Sequence, residues 1–221
     1  MGFESFTQLK KETPVSKNAQ AAALVQSVGR RLAAVAELPG AQWEFVLFES
    51  KEANAFCLPG GKVGVYTGLL PVTKDAAGLA AVLGHEIAHA VLRHGNERMS
   101  RALAWQLGGS LLSTGLSMSA ADPRAAVAVQ QAYGFGSQVG SELPHSRTQE
   151  SEADHVGLRF MARAGYDPEA ALAFWQRFAS YNSAQGGNGT PGFLRTHPTD
   201  ETRIRQIQAW LPEAKAQFRA Q

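Results

Sequence analysis

"GLAAVLGHEIAHAVLRHGNERM" (residues 78–99) is the most informative stretch of the chain, because three polar residues interrupt an apolar helical pattern within it. A polar group that is buried without a partner costs free energy. The Ala, Val and Leu side chains around His85, Glu86 and His89 supply no such partner. We therefore expect these three side chains to share a bound ligand.

The spacing of the two histidines predicts a metal site. Residues four apart lie on one helical face, so the imidazoles of His85 and His89 can reach the same ion. The carboxylate of Glu86 then lies beside a metal-bound water rather than on the metal. Zinc lowers the pKa of such a water towards ~7, and a carboxylate can take its proton while the water attacks a carbonyl. Two plainer interpretations stay open: a helix with satisfied core histidines, or a helical scaffold with a chance motif that binds no metal.

A catalytic zinc site needs a third protein ligand and an open position. In a metzincin the motif continues to a glycine at position 92 and a histidine at position 95. This chain has Leu92 and Gly95 there, which excludes that class. His94 is turned away from the face that carries His89, and we expect it at the surface or at the helix end.

The better source of a third ligand is "SRTQESEADHVGLRFMARAG", residues 146–165. Glu150 and Asp154 are again four apart, so one carboxylate can bind zinc while the other accepts a hydrogen bond from a ligand histidine and fixes its tautomer. Arg147 is on the same face and can orient or neutralise the two carboxylates, and Glu152 is the fallback ligand. The alternative is a solvated helix face held by arginine–carboxylate pairs.

The rest of the chain predicts one mostly helical α+β domain spanning residues 1–221, with one small sheet of three or four strands. The predicted strands are 43–50, 54–58 and 62–68, and a "PGG" turn joins the last two. The predicted helices are 16–38, 74–99, 101–119, 123–136, 147–164, 168–182 and 199–219, and Gly-rich loops are predicted at 132–144 and 185–193.

The composition of the 221-residue chain excludes several functional classes. Its 44% apolar and 18% charged residues are typical of a soluble globular protein, and a net charge of +2 without a basic block indicates no nucleic-acid binding. The mildly basic surface is compatible with peripheral membrane association. Cys57 is the only cysteine, which excludes an intrachain disulfide and a thiolate metal cluster. The uncharged segment 102–121 is too polar for a membrane span, and the start of the chain shows no leader, as expected of a cytosolic protein or a mature exported one.

Four segments of the chain occur in the order of one protein family. They are "NAFCLPGGKVGVYTGLL" (54–70), "LGHEIAHAVLRHGNERM" (83–99), "SRTQESEADHVGL" (146–158) and "THPTDETRIRQI" (196–207). Together they resemble the HtpX-like, CAAX-prenyl-protease-type zinc metalloproteases of peptidase family M48, over about residues 3–211. The similarity is greatest to the soluble or lipid-anchored bacterial envelope branch. This resemblance implies a zincin-like fold of the gluzincin type that binds one zinc ion per chain.

The resemblance also implies a role for each matching residue. His85, His89 and Glu150 correspond to the zinc ligands, Glu86 to the general base and Asp154 to the partner of a ligand histidine. His197 corresponds to a histidine near the metal, which serves either as a fourth ligand in a latent state or as a stabiliser of the oxyanion. The glycine-rich strand beside the zinc helix corresponds to an edge that pairs with extended substrate. The residues assigned to that edge are Gly61, Lys62, Val63 and Gly64, and an ordinary hairpin strand is the alternative.

The function that we expect is that of a zinc-dependent metalloendopeptidase acting on proteins or peptides. Protein quality control in a bacterial cell envelope or periplasm is the implied setting, in preference to the cytoplasm. The competing hypothesis is a latent or chaperone-like zinc-binding protein, in which His197 closes the site as structural zinc sites are closed.

Overall fold

The computed structural model describes residues 2–97, 146–184, 193, 196–197 and 201–219. The chain divides into two compact units, of which the first comprises residues 1–92 and 145–221 and the second residues 93–144. Only residues 93–97 of the second unit are described, and the elements below belong to the first. A single catalytic domain spanning residues 1–221 stays a prediction.

Within the described residues the sheet has three strands, in agreement with the three or four that the strand pattern predicts. They are β1 (Glu44–Phe48), β2 (Ala55–Leu58) and β3 (Lys62–Tyr66), in the spatial order β1-β3-β2. Strand β1 runs parallel to β3, whereas β2 and β3 form an antiparallel hairpin. The turn of that hairpin contains Gly60 and Gly61, whose φ angles of 88° and 84° favour glycine.

Seven α-helices of the first unit are assigned in the described residues, besides a short 3₁₀-helix at Thr67–Leu69. They are α1 (Gly2–Glu12), α2 (Ala19–Ala33), α3 (Leu70–Thr73), α4 (Ala76–Val91), α5 (Arg147–Arg163), α6 (Glu169–Ala184) and α7 (Glu201–Ala216). The sequence analysis misses α1, and it overextends α4, which ends at Val91 rather than at residue 99.

Several predictions for the middle of the chain lie outside the described residues. They concern the helices at 101–119 and 123–136, the segment 102–121 and the loop at 132–144. Nearly all of the loop predicted at 185–193 lies outside as well. None of the helices within the described ranges combines the length and the hydropathy that a bilayer crossing requires.

Helix α4 lies at the centre of the fold, where it packs against α2, α5, α6 and β2. Every residue from Gly78 to His89 is buried. The helix begins at a well-formed cap, because the carboxylate of Asp75 accepts a hydrogen bond from the backbone N–H of Gly78 at 2.8 Å. Side chains on α4 are therefore held in place by packing on nearly every side.

Two glycines allow α4 and α5 to approach closely. A Cβ atom added to Gly157 would lie 3.0 Å from the backbone nitrogen of His85 and 3.1 Å from the carbonyl carbon of Gly84. Helix α5 itself begins at a capping box formed by Ser146 and Gln149. This start places Glu150 in the first turn, beside α4.

Candidate metal centre

Four buried side chains meet between α4, α5 and the segment before α7. Nε2 of His85 lies 3.0 Å from Nε2 of His89 and 3.2 Å from Nδ1 of His197. Oε1 of Glu150 lies 2.9 Å from Nδ1 of His197 and 3.2 Å from Nε2 of His89. Each of the four residues is at most 5% exposed. Two helices and a distant segment thus bring four donor atoms within 4.8 Å of one another.

This donor set fits a zinc ion. Tetrahedral zinc with bonds of ~2.0–2.1 Å holds its donors about 3.3 Å apart, close to the separations in this cluster. A neutral imidazole offers one donor and one acceptor, so three imidazoles and a carboxylate that converge on one point cannot satisfy one another. Oε1 of Glu86 is also buried without a hydrogen bond in the described structure. A divalent cation between these groups would compensate their charge and their missing partners.

Asp154 contacts His85, as the i and i+4 spacing of Glu150 and Asp154 predicts for the partner of a ligand histidine. Its Oδ1 is 2.9 Å from Nδ1 of His85, which leaves Nε2 of His85 directed at the cluster. Burial acts to raise the pKa of Asp154, but Arg203 and His85 outweigh that effect and hold the pKa below its ordinary value. The carboxylate is therefore charged and accepts a hydrogen bond from Nδ1 of His85.

The charges of the cluster are strongly coupled. Burial acts against a charged His85, but Glu150 and Asp154 outweigh it and raise the pKa of His85 to about 9. Burial likewise acts to raise the pKa of Glu150, yet the neighbouring positive charges of His85 and Arg203 hold it below its usual range. The cluster thus favours a positive charge, whether a proton or a metal ion.

Glu86 lies beside the cluster without belonging to it. Its Oε1 is 3.2 Å from Nε2 of His197, and the backbone N–H of Cys57 on β2 donates a hydrogen bond to its carboxylate. Burial is the main reason that the pKa of Glu86 is raised, with His197 and His85 opposing it. A buried carboxylate with a raised pKa is suited to proton transfer near neutral pH.

Arg203 is a part of the site that the sequence analysis misses. Its Nε and Nη2 donate hydrogen bonds to the two oxygens of Asp154 at 2.5 and 2.9 Å, and its Nη1 lies 2.6 Å from Oε2 of Glu150. Arg147 is exposed, whereas Arg203 is buried between the two carboxylates, and the orienting role of Arg147 stays a prediction. One signal was available: Arg203 occupies the first position of a stripe that continues with Ile207 and Leu211, both buried.

The described sheet does not leave Gly61, Lys62, Val63 and Gly64 at an edge, and their role in substrate binding stays a prediction. Strand β3 is the middle strand of the described sheet, so β1 and β2 already pair with its two sides. The ammonium group of Lys62 donates to the backbone oxygen of Gln42 at 2.8 Å. The described strand that lies at the sheet edge and contacts α4 is β2.

Two minor predictions also have an outcome. Glu152, the fallback ligand, is exposed. His94 is only 3% exposed, which contradicts the expected surface position, while the alternative position at the helix end stays a prediction. The cluster of metal-ligating groups found among the described residues does not include either of them.

A small sheet that supports a buried HExxH helix, with an acidic donor from a second helix, defines the zincin class of metalloprotease folds. The sequence model of Peptidase family M48 matches residues 19–211, and the chain belongs to this family. The described fold and donor cluster agree with the zinc ion that membership of this family implies.

Individual relatives carry names that refer to metalloendopeptidases and proteases. The mitochondrial metalloendopeptidase OMA1 of Schizosaccharomyces pombe is 40% identical over 192 residues, which is 86% of this chain and 53% of the relative. The human metalloendopeptidase OMA1 is 30% identical over 94% of this chain and 40% of the relative. The beta-barrel assembly-enhancing protease of Escherichia coli is 30% identical over 92% of this chain and 42% of the relative. The chain thus spans about half or less of the length of these relatives.

Proposed function

We propose that the chain is the catalytic part of a zinc-dependent metalloendopeptidase, with His85, His89 and Glu150 as zinc ligands. The observation that carries this proposal is the convergence of their donor atoms beside the buried carboxylate of Glu86. Zinc bound there would supply a Lewis acid and an acidified water. The names of the relatives support the same activity.

Glu86 performs the proton transfers of peptide hydrolysis. Its carboxylate takes a proton from the attacking water and delivers it to the leaving amine. A backbone hydrogen bond from Cys57 acts to lower the pKa of that carboxylate, while Oε1 is left without a hydrogen bond in the described structure.

Strand β2 is the better candidate for pairing with the substrate backbone. It is the described edge strand next to α4, and the N–H of its Cys57 contacts Glu86. An extended peptide added to this edge would form main-chain hydrogen bonds within reach of the general base. The substrate class is accordingly an extended or unfolded stretch of protein.

His197 favours a latent state of this enzyme. Its Nδ1 lies among the other donor atoms, while its Nε2 is 3.2 Å from Oε1 of Glu86. The imidazole therefore occupies the space between the ligands and the base, where the attacking water has to lie. The same contact supports the second candidate function, a chaperone-like zinc-binding protein whose site stays closed.

The setting that we propose is protein quality control in a bacterial cell envelope. The name of the E. coli relative, which refers to beta-barrel assembly, supports this setting. The names of the OMA1 relatives refer to mitochondria. Fractionation of cells that produce the protein from its native gene tests the compartment.

The substitution Glu86→Gln tests the activity. We expect a loss of about 10²–10⁴-fold in the cleavage rate of unfolded casein, because the amide cannot take the proton. Zinc content, measured by elemental analysis, should stay at that of the parent protein. Glu37→Gln, at an exposed position of the same chain, is the control and should leave both values unchanged. Full activity of Glu86→Gln would rule out this mechanism.

The substitution His197→Ala separates the latent enzyme from the closed binding protein. We expect casein cleavage to increase several-fold, because the space beside Glu86 is vacated while three zinc ligands stay. A lower rate would instead assign His197 to stabilisation of the oxyanion. If neither the parent nor the variant cleaves any unfolded protein, the binding-protein hypothesis is favoured.

A further inference from the structure

We infer that Arg203 holds Oε2 of Glu150 in an ion pair, so that Glu150 binds the metal through Oε1 alone. Arg203 is in this sense a positioning residue, since it acts through Glu150 and Asp154. The inference rests on the proposed zinc site, and it concerns the number of positions on the metal that the protein leaves open.

The contacts of the carboxylate support this division. Oε1 of Glu150 faces the donor atoms of His197 and His89, at 2.9 and 3.2 Å. Oε2 forms an ion pair with Nη1 of Arg203 at 2.6 Å and lies 3.3 Å from Nε2 of His85. A charge-assisted pair of this length is among the strong contacts that a carboxylate makes. Oε2 is thus engaged on the side of Glu150 that faces Arg203.

The guanidinium is fixed on its other sides as well. Its Nε and Nη2 form a two-pronged hydrogen bond to Asp154, and its face lies 3.9 Å from the ring centroid of Trp175. Trp175 is only 2% exposed. The planar guanidinium suits this combination of forked pairing and stacking, which a lysine ammonium does not reproduce.

The positive charge of Arg203 also compensates part of the buried negative charge of the site. The described residues place three carboxylates in the site, those of Glu86, Glu150 and Asp154, each at most 4% exposed. One guanidinium brings their summed charge from −3 to −2, which a divalent cation neutralises. Burial of a charge without such compensation is costly.

The consequence for the metal is a carboxylate ligand that binds through one oxygen. If Oε2 were released, it could bind the same ion and occupy a position that water or a peptide carbonyl needs. Loss of Arg203 should therefore weaken zinc binding and also change the coordination of the bound metal. A purely structural role in the fold would not change the coordination.

The experiment compares Arg203→Met and Arg203→Lys with Arg205→Met in the full chain. Arg205 lies on the same helix, is exposed, pairs with Glu201 at 3.7 Å and donates a hydrogen bond to Thr202 at 3.2 Å, so it does not contact the metal ligands. Zinc affinity is measured by competition with a chelator, and coordination by the visible spectrum of the Co²⁺-loaded protein. We expect Arg203→Met to weaken zinc binding by about 10–100-fold, the usual effect of losing a residue that supports a ligand. We also expect weaker cobalt absorption, as five-coordinate cobalt gives, and no rescue by Arg203→Lys. Arg205→Met should match the parent protein.

Two results would overturn the inference. One is a folded Arg203→Met protein with the zinc affinity and the cobalt spectrum of the parent. The other is a crystal structure of the zinc-loaded parent in which Oε2 of Glu150 binds the metal. This second test needs no variant, so it applies even if Arg203→Met does not fold. If the parent itself binds no zinc, the proposed function fails together with the inference, whereas zinc binding that is equal in parent and variant removes the inference alone.

Discussion

Helices α4 and α5 both contribute to the candidate metal centre, but they differ in burial: α4 is buried on all sides, whereas α5 has one buried and one exposed face. In α4 every residue from Gly78 to His89 is buried, and the polar side chains among them are those that form the site. In α5 buried carboxylates alternate with exposed charges, so that Glu150 is buried whereas Glu152 is exposed. A buried polar residue is therefore conspicuous in the sequence of α4, while in α5 only the face of the helix distinguishes a ligand from a solvated charge.

We expect the largest effect from a substitution that separates the buried carboxylate of α5 from an exposed one on the same helix. Glu150→Gln replaces a charged oxygen donor by a neutral one of the same shape, and we expect zinc affinity to fall by well over the ~100-fold that supporting residues cost. Glu152→Gln makes the same chemical change two residues away on the exposed side. Competition with a chelator measures both affinities. Equal loss in the two variants would show that α5 does not present Glu150 selectively.

The next largest effect should come from Asp154, which links the two helices through His85. Asp154→Asn keeps an oxygen for Nδ1 of His85 but loses the charge that pairs with Arg203. We expect zinc binding to weaken by about 10–100-fold. The substitution is in α5, but it weakens the support of His85, which lies on α4. Isothermal titration with zinc measures the change. An unaltered affinity would show that the contact between Asp154 and His85 does not support the ligand.

The sequence was sufficient for the parts of the site that depend on spacing along one helix. The i and i+4 pairs on α4 and α5 predict which side chains share a face, and the described cluster brings those faces together. The three strands were predictable for the same reason, since β-formers alternate between clear turn residues. Local periodicity carries this information because a helix or a strand imposes it directly.

The parts that sequence reasoning missed depend on pairing between distant segments. The order β1-β3-β2 puts β3 in the middle, and nothing in the glycine-rich sequence of β3 states that β1 will pair with it in parallel. Arg203 lies 49 residues from Asp154, so its role follows from how α7 packs on α5. Helix α1 is short of apolar residues, and it is anchored by Phe6, which is 1% exposed and packs on Phe48 and Phe56.

The smallest effect should come from the contact between the two helices themselves. A glycine in the middle of a helix normally costs about 1 kcal/mol relative to alanine, so Gly→Ala should stabilise an unconstrained helix. At Gly157 the new methyl group would meet the backbone of α4 at 3.0–3.2 Å, and backbone atoms of a fully buried helix have little room to move. Overpacking of this kind typically costs 1–3 kcal/mol, so we expect Gly157→Ala to lower the free energy of unfolding by about 1 kcal/mol.

Gly95→Ala is the matched control for this substitution, because among the described residues a Cβ atom at Gly95 would have no neighbour within 4 Å. We expect that variant to be as stable as the parent or slightly more so, and chemical denaturation of the zinc-loaded proteins compares the two. The methyl group at Gly157 would press on the backbone of His85, so a modest loss of zinc affinity should accompany the loss of stability. If Gly157→Ala proved as stable as Gly95→Ala, the close approach of α4 and α5 would not be what holds the imidazoles against Glu150.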